Sequence, residues 1–90
     1  MYALVTTKQF DKDLRKALKR NKDLSKIKLI MQTLVSGQPL PGKNKDHRLI
    51  GNYKSRRECH IEPNWLLIYK INKTKKEIIF ERTGTHSDLF

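Results

Sequence analysis

Cysteine is almost absent from this 90-residue chain: Cys59 stands alone, so there is no internal disulfide and no Cys pair of the kind found in zinc-ribbon sites. Long apolar runs are missing too. The longest, Trp65 to Tyr69, falls far short of the ~20 residues that span a bilayer, and Met1 to Val5 lack a signal-peptide layout. A cytoplasmic location without membrane attachment is the expectation. No internal repeat or low-complexity tract occurs, and the length leaves no room for a second domain, so residues 1–90 are read as one domain. Folding at this size buries roughly 60 to 65% of the unfolded surface, which supports a small core but no enclosed cavity for a large cofactor. No cofactor and no structural metal are expected.

Acidic residues are scarce as well. Nine Asp and Glu face twenty Lys and Arg, for a net charge of +11, and the pI is near 10.1. Such an excess points to a polyanionic partner, RNA, DNA or an acidic protein, because phosphate neutralisation with counterion release drives binding. Eleven of the basic residues and only three of the acidic ones lie in residues 1–45. All three histidines, the single Trp and the Cys lie in the less basic half.

Residues Tyr2 to Thr6 read as a short strand. Thr6-Thr7-Lys8-Gln9 fits a capping box, and Phe10, Leu14, Ala17 and Leu18 recur at helical spacing to about Arg20. Lys8, Lys12, Lys16 and Lys19 occupy the opposite face. Asn21 or Asp23 caps a second helix through Leu24, Ile27, Met31, Leu34 and Val35, stopped by Gly37, so an αα-hairpin is predicted. Residues 37–44 concentrate turn formers, with two prolines that exclude helix. Strand-like patterning follows at Tyr53 to Ser55 and Arg57 to Ile61. Pro63-Asn64 turns the chain into the strongest strand, Asn64 to Ile71, which a hairpin at residues 72–75 joins to Glu77–Arg82. The expected fold is α+β: an N-terminal strand, a helical hairpin, then a three- or four-stranded antiparallel sheet with one face on the helices and the other open.

Three places offer chemistry: Asp46-His47, His60 with the Pro63-Asn64-Trp65 turn, and Arg82 through His86 to Phe90. Each histidine taken alone is an ordinary surface or hydrogen-bonded residue. Cys59 and His60 point to opposite faces of a strand, which disfavours a shared metal ion. A histidine pair on a basic surface suits RNA cleavage without a metal. One imidazole takes the 2′-OH proton, the other protonates the departing 5′ oxygen, and a guanidinium stabilises charge on phosphorus. His60 and His86 meet only if their strands bring them to the same end and face. Binding without catalysis fits the composition equally well.

Three strings, Lys45-Asp46-His47-Arg48-Leu49-Ile50-Gly51-Asn52-Tyr53-Lys54, Arg57 through His60, Asn64 and Trp65 to Lys70, and Glu81 through His86 to Phe90, closely resemble the YafQ branch of the RelE/ParE toxin superfamily. These are toxins of bacterial type II toxin–antitoxin systems. The resemblance implies a RelE-like fold and a ribosome-dependent endoribonuclease that cuts mRNA during translation and is neutralised by a cognate antitoxin. The positions matching the family's active site are His47, His60, Asn64, Trp65, His86 and Phe90. Asn64 stands where the family pattern usually has Asp, and an amide hydrogen-bonds without taking a proton near neutral pH. Arg82 is the candidate phosphate contact.

Each of these positions also has a plainer reading. Trp65 is either core or a stacking platform for a base. Phe90 is either a packing plug or, in the favoured reading, a substrate contact. The Lys8, Lys12, Lys16, Lys19 stripe is a solvated face or a ribosomal RNA contact. Arg56 or Arg57, only one of which faces the ligand side, binds substrate or an acidic antitoxin segment. The rival functions are a gyrase poison of the same superfamily and a non-catalytic nucleic-acid-binding module.

Overall fold

A computed structural model describes all of residues 1–90. The chain runs β1 (Ala3–Thr6), α1 (Lys8–Lys19), α2 (Leu24–Val35), β2 (His47–Arg48), β3 (Arg57–Glu62), β4 (Trp65–Asn72), β5 (Glu77–Gly84) and α3 (His86–Leu89). The strands form one sheet in the order β1-β5-β4-β3-β2, with β1 parallel to β5 and every other pair antiparallel. The sheet is therefore mixed and five-stranded: four antiparallel strands, β2 to β5, within the expected count, with the N-terminal strand β1 added in parallel beside β5. Tyr53 to Ser55 is not a strand. Gly51–Tyr53 forms a 3₁₀ turn, and left-handed backbone at Gly51 (φ 72°) and Ser55 (φ 73°) bends the chain until β3 begins at Arg57.

Thr7, rather than Thr6, caps α1. Thr6 is still paired to Phe80 in the sheet, so the cap falls one residue later, where Thr7 Oγ1 accepts the Phe10 N–H at 3.0 Å. Gln9 does not close a capping box and instead donates to Asp13. Asp23 caps α2 by accepting the Ser25 N–H at 3.0 Å, and Gly37 (φ 81°) ends it in a left-handed turn whose N–H reaches Leu34. No helix is long and apolar enough to cross a membrane.

The main core lies between the helical hairpin and one sheet face, where Phe10, Ala17, Ile27, Met31 and Leu34 meet Cys59, Leu67, Tyr69, Ile78 and Phe80. Leu18 is excluded from it and is 58% exposed. Helix α1 is rolled so that Asp13, 7% exposed, faces the sheet instead. Alternation sends Glu58 and His60 of β3, with Leu66 and Ile68 of β4, to the opposite face. That face is not wholly open: Leu89 of α3 packs on Leu66 and Ile68, so β4 is buried on both sides. Each fully buried aliphatic there contributes roughly 1.5 to 3 kcal/mol, which fixes β4 as the platform for the residues around it.

Candidate active site

Three chain segments deliver the histidines to the sheet face opposite the helical hairpin. His47 opens β2, which a loop through Asn44 and Lys45 leads into. Buried Asn44 anchors that loop by donating from Nδ2 to the His60 carbonyl at 2.8 Å, and Lys45 adopts left-handed backbone (φ 48°). Asp46 adds a second anchor, its Oδ1 accepting from the Tyr69 hydroxyl at 2.6 Å and from Arg57 Nε at 3.2 Å. Burial, reinforced by Asp46, pushes the Tyr69 phenol well above its ordinary range, so it remains a donor. The turned backbone brings the Lys45 carbonyl to 2.6 Å from His47 Nδ1. A carbonyl only accepts, so Nδ1 carries the proton and Nε2 faces inward, 3.5 Å from Glu58 Oε1.

His60 lies on β3 opposite Leu66, its Nε2 3.7 Å from the same Glu58 oxygen. Glu58 is 4% exposed, and its Oε2 is buried without a hydrogen-bond partner. His86 begins α3. Its backbone N–H and its ring Nδ1 both donate to Asn64 Oδ1, at 3.2 and 2.9 Å, which leaves Nε2 unengaged. The His47 and His60 ring centroids are 6.4 Å apart and those of His60 and His86 6.0 Å, and Phe90 continues the row at 6.5 Å from His86. Tyr53 packs edge-on against Phe90 at 5.4 Å and donates its hydroxyl to the Leu89 carbonyl.

Not every candidate joins this row. Trp65 is 1% exposed and belongs to the helix-side core, with the Lys22 ammonium 5.7 Å from its ring, so no base can stack on it. Arg82 takes its contacts from α1: Nε and Nη2 donate to Asp13 at 2.8 and 3.4 Å, which raises the guanidinium above its ordinary value. Asp13 also accepts the Thr83 N–H, an amide of β5 beyond the end of β1. Arg56 is joined to Glu81 at 2.7 Å, whereas Arg57 is tied to Asp46 beside the core residue Tyr69 and stays off the histidine face. Lys8, Lys12 and Lys19 are exposed, while Lys16 is bonded to Asp88 at 3.2 Å. Cys59 is fully buried, and that burial pushes its thiol up to about 12, which makes it inert.

Sequence reasoning missed Glu58, Asp13 and Asn44. Glu58 reads as the solvent side of an alternating strand, and only the pairing with β2 shows that a histidine covers it. Helix α3 left a trace: Thr85-His86-Ser87-Asp88 forms a capping box with Asp at the last position.

A family model described as the bacterial toxin of the type II toxin–antitoxin system, YafQ, matches residues 2–90. The mRNA interferase toxin YafQ of Escherichia coli K12 is 49% identical over 83 residues, covering 91% of this chain and 88% of that protein. YafQ in the crystal structure of the E. coli DinJ–YafQ complex superposes with a TM-score of 0.91 at 44% identity, covering 100% of this chain and 99% of the other. A metal-bound toxin from Helicobacter pylori superposes with a TM-score of 0.94 at 42% identity, covering 100% of both chains. In the present chain no three His, Cys, Asp or Glu side chains are arranged to hold a metal ion. The match over nearly the whole sequence and over the whole fold places this chain in the YafQ family of bacterial type II toxin–antitoxin toxins.

Proposed function

We propose that this toxin is a ribosome-dependent endoribonuclease that cleaves mRNA by 2′-OH attack, needs no metal, and is neutralised in the bacterial cytoplasm by a cognate antitoxin. The observation that carries this reading is the row of His47, His60 and His86 at centroid spacings of 6.4 and 6.0 Å, with the Nδ1 atoms of the outer two engaged. Spacings of this order leave room for a scissile phosphate between proton-transfer groups, with His86 Nε2 unengaged and His47 Nε2 beside Glu58.

His86 offers Nε2 as the atom that accepts the 2′-OH proton, because its Nδ1 proton is held by Asn64. The activated 2′ oxygen forms a bond to phosphorus as the bond to the 5′ oxygen breaks. His60 delivers the proton to that leaving oxygen, and His47 supplies a third donor. Asn64 acts as an orienting acceptor. Arg82, outside the row and held by Asp13, is the guanidinium assigned to stabilise charge on the phosphorane. The products are a 2′,3′-cyclic phosphate, or the 3′-phosphate it opens to, and a 5′-OH end. Phe90, 63% exposed and braced by Tyr53, takes the base-stacking role that buried Trp65 cannot.

The row is an open surface, so the ribosome must hold the mRNA in line, an orientation effect that can supply several kcal/mol. Lys8, Lys12 and Lys19 supply the contact to ribosomal RNA, and Arg56, rather than the Arg57 tied to Asp46, is the substrate or antitoxin contact. The complex of the related E. coli toxin with DinJ supports a protein partner, and the charge of +11 suits an acidic segment on it. Incubation with programmed ribosomes, followed by primer extension, tests the reading: new 5′-OH ends are expected there and almost none on naked RNA. Rapid cutting of protein-free RNA contradicts the ribosome requirement. Growth arrest through gyrase with no new RNA ends contradicts the nuclease reading.

A further inference from the structure

The cleft between α1 and the C-terminal segment resembles an anion site at first sight. It holds about 170 Å³ and is lined by five cations, Lys12, Lys16, Arg20, Lys22 and Arg82. Four of these are already engaged within the chain. Glu62 accepts from Lys22 at 2.9 Å, and Asp13 holds Arg82. Asp88 reaches across from α3 and takes the other two: its Oδ1 is 3.2 Å from Lys16 Nζ, and its Oδ2 is 2.7 Å from Arg20 Nη1. The cleft is filled by the protein's own carboxylate.

We infer that Asp88 is a positioning residue for cleavage, an ionic latch that ties the four-residue helix α3 to α1 and so holds His86 and Phe90 at the His60 site. This rests on the nuclease reading above. A helix this short has no independent stability in water, since isolated helices below about 12 residues are marginal at best. Its docking must come from tertiary contacts. Those contacts are Leu89 on Leu66 and Ile68, Tyr53 on the Leu89 carbonyl and the Phe90 ring, Asn64 on His86, and Asp88, which alone reaches α1.

Asp88 acts at both ends of the problem. Within α3 it closes the capping box, accepting the Thr85 N–H at 2.9 Å while Thr85 Oγ1 accepts the Asp88 N–H at 3.2 Å. Between elements it joins Lys16 in the last turn of α1 and Arg20 at its C-terminal cap, four residues apart. Glycine at position 84 permits the approach, because a Cβ there would sit 2.9 Å from Asp88 Cβ and Oδ2. His86 lies two residues before Asp88 and Phe90 two residues after it. A latch at the middle of so short a helix therefore sets the aim of both rings. Lys16 belongs to this latch, which separates it from the exposed stripe of Lys8, Lys12 and Lys19.

Two variants separate the cap from the ion pairs. Asp88→Asn keeps an acceptor for the Thr85 N–H and removes the charge, and Asp88→Ala removes both. Three measurements are made on the full chain: Tm, amide hydrogen exchange at Leu89 and Phe90, and the ¹H–¹⁵N ring spectrum of His86. Cleavage on programmed ribosomes is then resolved into kcat and KM. In Asp88→Ala, Leu89 and Phe90 amide exchange should rise roughly tenfold and kcat should fall by a similar factor, as loss of a cap with an ion pair predicts. The Nδ1–H signal of His86 should average out, while Tm and KM change little. Asp88→Asn should fall between, and added salt should move the wild type toward it. Unchanged exchange and ring spectra in Asp88→Ala overturn the latch. Altered spectra with unchanged kcat overturn its role in positioning. Altered spectra in a protein whose wild type cuts nothing support the latch and refute the nuclease reading instead.

Discussion

Asn64 stands where a carboxylate would offer a second general base, and its geometry assigns it another task. Its Oδ1 accepts two hydrogen bonds from one residue, the backbone N–H of His86 at 3.2 Å and the ring Nδ1 at 2.9 Å. Removing both in Asn64→Ala forfeits two hydrogen bonds of about 0.5 to 1.5 kcal/mol each. At about 1.4 kcal/mol per tenfold in rate, the single-turnover constant should fall by roughly five- to 150-fold. Asn64→Asp keeps an acceptor oxygen in the same place and adds a charge. The rate should then change by less than about tenfold, because loss of a true general base costs 10² to 10⁴. The rate profile should move to higher pH, since a carboxylate beside an imidazole favours the protonated ring. The assay is single-turnover cleavage on programmed ribosomes with the three proteins in parallel. A gain above a hundredfold in Asn64→Asp would refute the orienting role and show that the native chain lacks its base.

The other predictions separate chemistry from stability. His86→Ala should abolish cleavage and growth arrest with little change in melting temperature, because the side chain is exposed, whereas Leu67→Ala, at a fully buried position, should destabilise by roughly 2 to 5 kcal/mol in denaturant titration. Trp65→Ala should behave like Leu67→Ala, losing about 3 to 5 kcal/mol, and any residual folded protein should retain cleavage. Asp88 is held below the usual carboxylate range, first by its hydrogen bonds to Arg20 and then by the Thr85 N–H. A lowered folded-state value stabilises above the unfolded value and is lost as pH falls, so the difference in Leu89 and Phe90 amide protection between wild type and Asp88→Asn should be constant above about pH 4 and shrink below it. A difference that instead grows with acidification would contradict the latch.

The parts of the fold legible in the sequence are those whose cause is local. The helical periods of Phe10 to Ala17 and Leu24 to Val35, the Asp23 cap and the Gly37 stop all appear where expected. The doubly apolar strand from Trp65 was legible too, although its second cover, α3, was not. What failed depended on partners distant in sequence. Leu18 has the spacing of a core residue, yet the free Thr83 amide and the Arg82 guanidinium draw Asp13 inward and turn Leu18 out. Trp65 begins a strand at a candidate site, and which face it takes is decided by packing against the helices. The meeting of His47, His60 and His86 required the β2–β3 pairing and the return of the chain through α3. Neither leaves a periodic signal. The resemblance named these residues without saying what holds them.

The central claim is that paired imidazoles activate the ribose 2′ oxygen. A message carrying a single 2′-deoxynucleotide at the scissile position, bound to programmed ribosomes, tests this most directly. No cleavage of that message is expected, and full cleavage of the all-ribose control to a 5′-OH end and a cyclic or 3′-phosphate. Cutting of the deoxy message at a comparable rate, with a 5′-phosphate and a 3′-OH as products, would contradict it.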